Sequence, residues 1–226
     1  FSLFFVYLWL DSLDKLPSQG FFNRRVLVYA IITGLGLSLK FNFIPFLVLP
    51  LFMLRSWKEK GSFALLTAGF FYLFTFPLFV KTRTFYRWIK ALILHSGVYG
   101  TGKNNVLDVS QFLSHLSTMM HSQKFLFATI LVGLLLLMAS YLPPLRQRLK
   151  GSTLPSLLAG MLVAEMLGIL LVAKHYSERY LIPELLLVVP LLFICIQVLI
   201  HLLPERFRRV EYLLYALIVF LIAIHP

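Results

Sequence analysis

Apolar residues come in long blocks separated by short polar ones. The blocks run over Phe1–Leu10, Val26–Leu39, Phe41–Leu54, Ser62–Val80, Phe125–Leu142, Leu154–Ala173, Leu181–Ile200 and Val210–Ile224. Several approach twenty residues, the length at which an α-helix crosses a bilayer. The alternation of a membrane β-barrel is absent. The pattern predicts an all-α, polytopic transmembrane helical bundle.

The second and third blocks are short. They read either as two helices joined by a tight turn at Lys40-Phe41-Asn42, or as one long broken helix. Charge decides between the two. With the turn, one set of alternate loops carries Lys15/Arg24/Arg25, Arg55/Lys58/Lys60, Arg146/Arg148/Lys150 and Arg206/Arg208/Arg209. Basic short loops on one side mark that side as cytoplasmic. With one broken helix the first group would change sides and the regularity would fail, so the turn is expected. Lys40–Asn42, Lys81–Lys124 and Lys174–Tyr180 then lie outside, and function is expected on that side.

The long outer segment, residues 81–124, has its own periodicity. Phe85, Trp88, Ile89 and Leu92 repeat at i, i+3, i+4, i+7, with Arg83, Arg87 and Lys90 on other faces. Val109, Phe112, Leu113, Leu116, Met119 and Met120 repeat likewise, and Asp108 before Gln111 starts a capping box. Both stretches are expected as interfacial helices lying on the membrane surface. Between them lies the Gly-rich polar stretch HSGVYGTGKNN.

Composition supports the membrane reading. The chain is 59% hydrophobic and only 13% charged, with a mean hydropathy of +0.85. A soluble globule of this size could not hide so much apolar surface. The net charge of +12 sits in short loops between apolar blocks. It therefore reads as topology and attraction to anionic membrane lipid, with no nucleic-acid partner. Cys195 is the only cysteine and lies in an apolar block, so no disulfide or thiolate metal site follows. The His residues show no ligand spacing. The chain opens at Phe1 inside an apolar block and ends near the end of another, which reads as one transmembrane domain, 1–226, of a longer protein.

Gly97–Asn104, GVYGTGKN, nearly matches the phosphate-loop pattern GxxxxGK[ST]. Asn104 lacks the hydroxyl for Mg²⁺, no strand precedes it, and the topology puts it outside, so a nucleotide loop is excluded. It is either a plain connector or a mobile loop over an outer site, where His95, Tyr99 and Lys103 could meet a sugar or a phosphate. At Lys174–Tyr180, Pro183 suits the first turn of a helix starting near Leu181–Ile182. The positive end of that helix lies beside Lys174 and Arg179, a combination that attracts an anionic oxygen. Glu178 adds a carboxylate, and Tyr180 and Glu184 share a face. Lys40 and Asn42 either snorkel to the interface or contact a phosphate. Glu165, mid-block in LAGMLVAEMLGILLV, is costly inside a membrane. Its depth sets it far from the outer loops and favours a structural role. Pro183 and Pro190 are expected to kink one face of a helix.

GLGLSLKFNFIPFLVLPLF (Gly34–Phe52) resembles a stretch of the C-type polytopic membrane glycosyltransferases, in which a Gly-rich helix ends in Lys before a second helix. HYSERYLIPELLLVVPLL (His175–Leu192) resembles their late motif, a charged residue followed by an aromatic and LxP. The protein-O-mannosyltransferase and lipid A aminoarabinose-transferase branch is the nearest in pattern. Mannosyltransferases with a His-Lys-Glu-x-Arg-Phe motif come next, and His175, Glu178, Arg179 and Tyr180 match that motif in part.

The resemblance implies an inverting transferase that moves a sugar from a polyprenyl-phosphate donor to a lipid, protein or glycan acceptor outside the cytoplasm. It implies a multi-pass protein of a bacterial inner or other plasma membrane. Lys40, Lys174, Arg179 and Lys103 would stabilise the departing phosphate. Tyr99, Tyr176 and Tyr180 would pack against the sugar. Some members use a divalent metal and others none, so no cofactor is assigned. The catalytic acid residue of the family belongs to an outer loop expected upstream of Phe1, so the base is unassigned and the fragment alone is expected to be inactive. Asp108, Glu178 and Glu184 are no convincing substitutes. A lipid-linked sugar transporter or flippase, and an oligosaccharide polymerase or ligase, are the alternatives.

Overall fold

The computed structural model describes residues 2–13, 23–79, 81–95 and 107–203. The block Val210–Ile224 and the stretch Gly97–Asn104 lie outside the described residues. All regular structure among the described residues is helical. In chain order the helices are α1 (Ser2–Leu13), α2 (Arg24–Leu39), a 3-10 stretch (Phe41–Leu47), α3 (Val48–Met53), α4 (Trp57–Phe79), α5 (Thr82–Leu94), α6 (Val109–Ser122), α7 (Lys124–Ser140), α8 (Pro143–Arg148), α9 (Leu154–Lys174), a 3-10 turn (Glu178–Tyr180) and α10 (Ile182–Leu202).

The turn expected at Lys40 is present. Asn23 opens α2 by accepting from the Val26 N–H at 2.7 Å. The helix stops at Leu39, and Lys40 is extended at φ −158°, ψ 126°. The segment after it departs from expectation. Phe41–Leu54 is not one α-helix: it begins as seven residues of 3-10 helix containing Pro45, followed by six of α3. Pro45 has no N–H to donate and disfavours the α conformation at Ile44, which breaks the regular ladder. The segment reaches only about 23 Å, against roughly 30 Å of bilayer hydrocarbon.

α9 and α10 form the centre, and they are the two described helices long and apolar enough to cross a membrane singly, at 21 residues each. Leu158, Met161 and Leu162 of α9 and Leu187, Leu191 and Ile194 of α10 are buried between their neighbours. Small residues bring the other helices close. A Cβ on Gly34 of α2 would stand 2.6 Å from Phe70 Cβ of α4, and one on Gly160 of α9 would stand 3.1 Å from Phe52 Cβ of α3. Helix pairs in membranes use such residues to bring backbones together. Thr33 and Thr67 hydroxyls meet at 3.2 Å across the α2–α4 contact.

Asp108 caps α6, accepting from Gln111 N at 3.2 Å, as its spacing predicts. α6 and α7 meet at 93° with only Gln123 between them. α8 was not foreseen. It occupies part of the basic loop Arg146–Lys150, and Gly151 closes the turn after it at φ +82°.

Of the loops expected to be cytoplasmic, Lys15 and the loop Arg206/Arg208/Arg209 lie outside the described residues, and the rest gather at one end. Arg25 pairs with Asp11 at 2.7 Å and donates to Met53 O at 2.9 Å. The Tyr29 hydroxyl also donates to Asp11. Asn23 donates to Glu59 at 2.8 Å, Thr153 to Ser12 O at 2.8 Å, and Arg148 to Leu202 O at 2.6 Å. These bonds tie together the ends of α1, α3 and α10 and the starts of α2, α4 and α9.

Candidate functional site

At the opposite end, the break after α2, the helix α5 and the α9–α10 corner enclose a cavity of about 900 Å³. Three sequence features place its walls. The extended Lys40 turns the chain so that Lys40 and Asn42 face the space. α5 has Phe85, Ile89 and Ile93 at four-residue spacing, and all three line the cavity, while Arg83, Arg87 and Lys90 are exposed. The short 3-10 turn between α9 and α10 leaves Lys174, His175, Tyr180 and Glu184 along one side. Phe41, Phe71 and Leu171 add to the apolar wall.

The corner is fixed by two contacts. Lys174 Nζ donates to Ile93 O at 2.7 Å, so the last residue of α9 holds the last turn of α5. A cation suits the negative end of a helix. His115 of α6 lies 2.9 Å from Ala173 O through Nδ1, and its ring stacks on Tyr176 at 5.0 Å. Pro183 sits in the first turn of α10, as its position predicts.

Glu184 is 2% exposed, and its Oε2 has no hydrogen-bond partner among the described residues. It is seated against Gly168 of α9, where an added Cβ would overlap Oε1 and stand 2.9 Å from Cδ and Cγ. Glu165, one turn before Gly168, is fully buried, and neither of its carboxyl oxygens has a partner among the described residues. It lies within Coulombic range of Glu184, and Glu184 within that of Lys40. A buried polar group left unpaired costs about 1–3 kcal/mol. Glu165 is not among the cavity's lining residues, and it lies nine residues before the end of α9.

The cavity collects part of the expected site. Lys40, Asn42, Lys174, His175 and Tyr180 line it. Glu178, Arg179 and His95 are not among its described lining residues. Glu178 and Arg179 sit on the exposed face of the 3-10 turn, with the Arg179 guanidinium over the Tyr180 ring at 5.5 Å from its centroid. His95 closes α5 through its N–H to Ala91 O at 2.9 Å. Tyr99 and Lys103 lie outside the described residues. Two charged lining residues were not singled out beforehand as binding groups, Lys81 and Glu184. Lys81 opens the outer segment by position, and Glu184 shares a helical face with Tyr180, so both left a trace in the sequence.

Among the described residues no group of three or more His, Cys, Asp and Glu side chains could hold a metal ion. The arrangement offers a cationic rim, an apolar wall and a buried carboxyl floor, which suits a ligand with a negative head and an apolar body. Comparison of the chain with protein-family models, curated proteins and solved structures finds no match.

Proposed function

We propose that the protein is a multi-pass membrane glycosyltransferase, a helical bundle that moves a sugar from a polyprenyl-phosphate donor to an acceptor on the non-cytosolic side. The observation that carries this reading is the cavity of about 900 Å³ with Lys40, Lys81 and Lys174 at its polar side and Phe41, Phe71, Phe85 and Ile89 along its wall. A prenyl chain suits the wall and a phosphate suits the lysines. Negative charge grows on the phosphate as it leaves, and fixed ammonium groups stabilise it there. An ammonium about 4 Å away contributes on the order of 4 kcal/mol near a protein surface. Exposed apolar faces on α4 (Leu65, Leu73, Phe76) and α7 (Leu131, Leu135, Met138) fit a bundle surrounded by lipid.

The alternative is a lipid-linked sugar transporter, and one observation favours it. Glu165 and Glu184 are carboxyls buried in helices of membrane length, a frequent mark of a transport path. The experiment separates the two. Full-length protein in sealed vesicles is given radiolabelled prenyl-phosphate sugar and acceptor. Label appearing on the acceptor, reduced about tenfold by combined Lys40→Ala and Lys81→Ala with insertion intact, supports the transferase. Label that crosses the bilayer still attached to its lipid carrier supports transport. Transfer unaffected by the double substitution rejects the cavity as the donor site.

A further inference from the structure

α9 and α10 each bury a carboxyl, Glu165 and Glu184, and the Glu184 carboxyl rests against Gly168 of α9. Glu184 lines the cavity, is 2% exposed and keeps Oε2 unpartnered among the described residues. Glu165 is fully buried with both oxygens in the same condition. Gly168 also lines the cavity and supplies the notch for the Glu184 carboxyl. One oxygen of Glu184 and both of Glu165 thus keep hydrogen-bonding capacity that no described group uses, and the Glu184 carboxyl borders the cavity.

Charge decides what that capacity is for. A cationic ligand would share the cavity with Lys40, Lys81 and Lys174. A metal ion would meet the same lysines. An anion placed at the carboxyls would be repelled by both. A hydroxyl is neutral and both donates and accepts, so it pairs with a carboxyl oxygen in either protonation state.

We propose that Glu184, positioned by Gly168, is the specificity-determining floor of the cavity and binds hydroxyl groups of the sugar carried by a lipid phosphate. The lysines take the phosphate and the aromatic wall takes the chain. This rests on the cavity being the donor site of the proposed transferase. It adds which end of the ligand is read, and by which residue.

The test compares two probes on full-length protein in nanodiscs, a short prenyl phosphate and the same lipid carrying a hexose. The wild type is expected to bind the hexosyl probe about tenfold more tightly, the worth of one good hydrogen bond. Glu184→Leu is expected to abolish that preference while leaving the bare prenyl phosphate unaffected, and Glu184→Gln to restore most of it. Lys40→Ala is expected to weaken both probes equally. A preference that survives Glu184→Leu overturns the proposal, as does equal weakening of both probes. If Glu184→Leu does not fold, Gly168→Ala retains both carboxyls but displaces Glu184, and an undiminished preference there overturns it as well. Phosphatidylglycerol also joins a phosphate to hydroxyls; if it outcompetes the hexosyl probe, the site belongs to a membrane lipid and the sugar assignment falls. A sugar preference without any transfer activity upholds the floor and rejects only the enzyme. Failure of both probes to bind rejects the two together.

Discussion

Replacing Gly34 with Ala tests whether the α2–α4 contact is as close as the structure has it. The added Cβ would stand 2.6 Å from Phe70 Cβ, 3.0 Å from Phe71 N and 3.2 Å from Phe70 C. Carbon atoms rest at about 3.5–4.0 Å, so the helices must part by about 1 Å. Backbone atoms of α4 block the way, and no side-chain rotation relieves it. Overpacking of this kind costs roughly 1–3 kcal/mol, and stretching the Thr33–Thr67 hydroxyl contact from 3.2 Å adds to it. Against this, Ala gains about 1 kcal/mol of helix propensity over Gly. The net expectation is a loss of about 1–2 kcal/mol. Gly69 of α4 is the control, because nothing lies within 4 Å of its would-be Cβ. Gly69→Ala should keep the propensity gain. Cys195, buried in α10, is a built-in reporter, since a thiol-reactive fluorophore reaches it only on unfolding. A difference of 2–3 kcal/mol between the variants should separate their melting midpoints by roughly 5–10 °C. Gly34→Ala melting at or above Gly69→Ala would refute the close approach.

Two further outcomes follow from the same geometry. Asp11→Ala leaves Arg25, 2.7 Å away, and the Tyr29 hydroxyl without their shared acceptor. It should cost about 2–4 kcal/mol in the same melting assay, and a loss below about 0.5 kcal/mol would show that the pair is replaceable. With Cys195 replaced by Ala, Lys58→Cys and Arg83→Cys, both exposed, should differ in sidedness. A membrane-impermeant thiol reagent added outside intact cells should modify Arg83→Cys alone, and modification of both from outside would dismiss the topology.

Much of the fold was legible because its signals are local. Asp108 caps its helix, Pro183 starts α10, and the described basic loops meet at one end. One local signal was missed. Ser56-Trp57-Lys58-Glu59 is a capping box, with Ser56 N donating to Glu59 at 3.1 Å, so α4 begins at Trp57 and carries its basic loop residues in its first turn. The block beginning at Ser62 was read from hydropathy alone, which registers charge but not capping. The site was legible only in part. Lys40 and the His175–Tyr180 corner were found because polar residues between apolar blocks stand out. Which of Arg179 and Lys81 faces the cavity depends on how the 3-10 turn presents its side chains and how α5 docks. The Gly168–Glu184 contact joins α9 to α10, and a sequence pattern on either helix does not contain it.

The short third segment connects the fold to the site. α9 and α10, at 21 residues each, are about 31 Å long. Phe41–Met53 reaches about 23 Å, roughly 8 Å less. At the end where Arg25 bonds Met53 O and Asp11, Thr153 at the start of α9 bonds Ser12 O, so α3 ends near where α9 begins and the shortfall falls toward the opposite end. Lys40 and Asn42 therefore stop short of the end of α9, and α5 closes over the gap with Phe85, Ile89 and Ile93. The same offset places Lys40 and Glu184, in the first turn of α10, in the lining of one cavity. Non-helical backbone at such a depth is tolerated when it lines a cavity instead of meeting lipid. The Pro45 stretch thus makes both the space and its charge pattern, and a regular helix in its place would fill the one and remove the other.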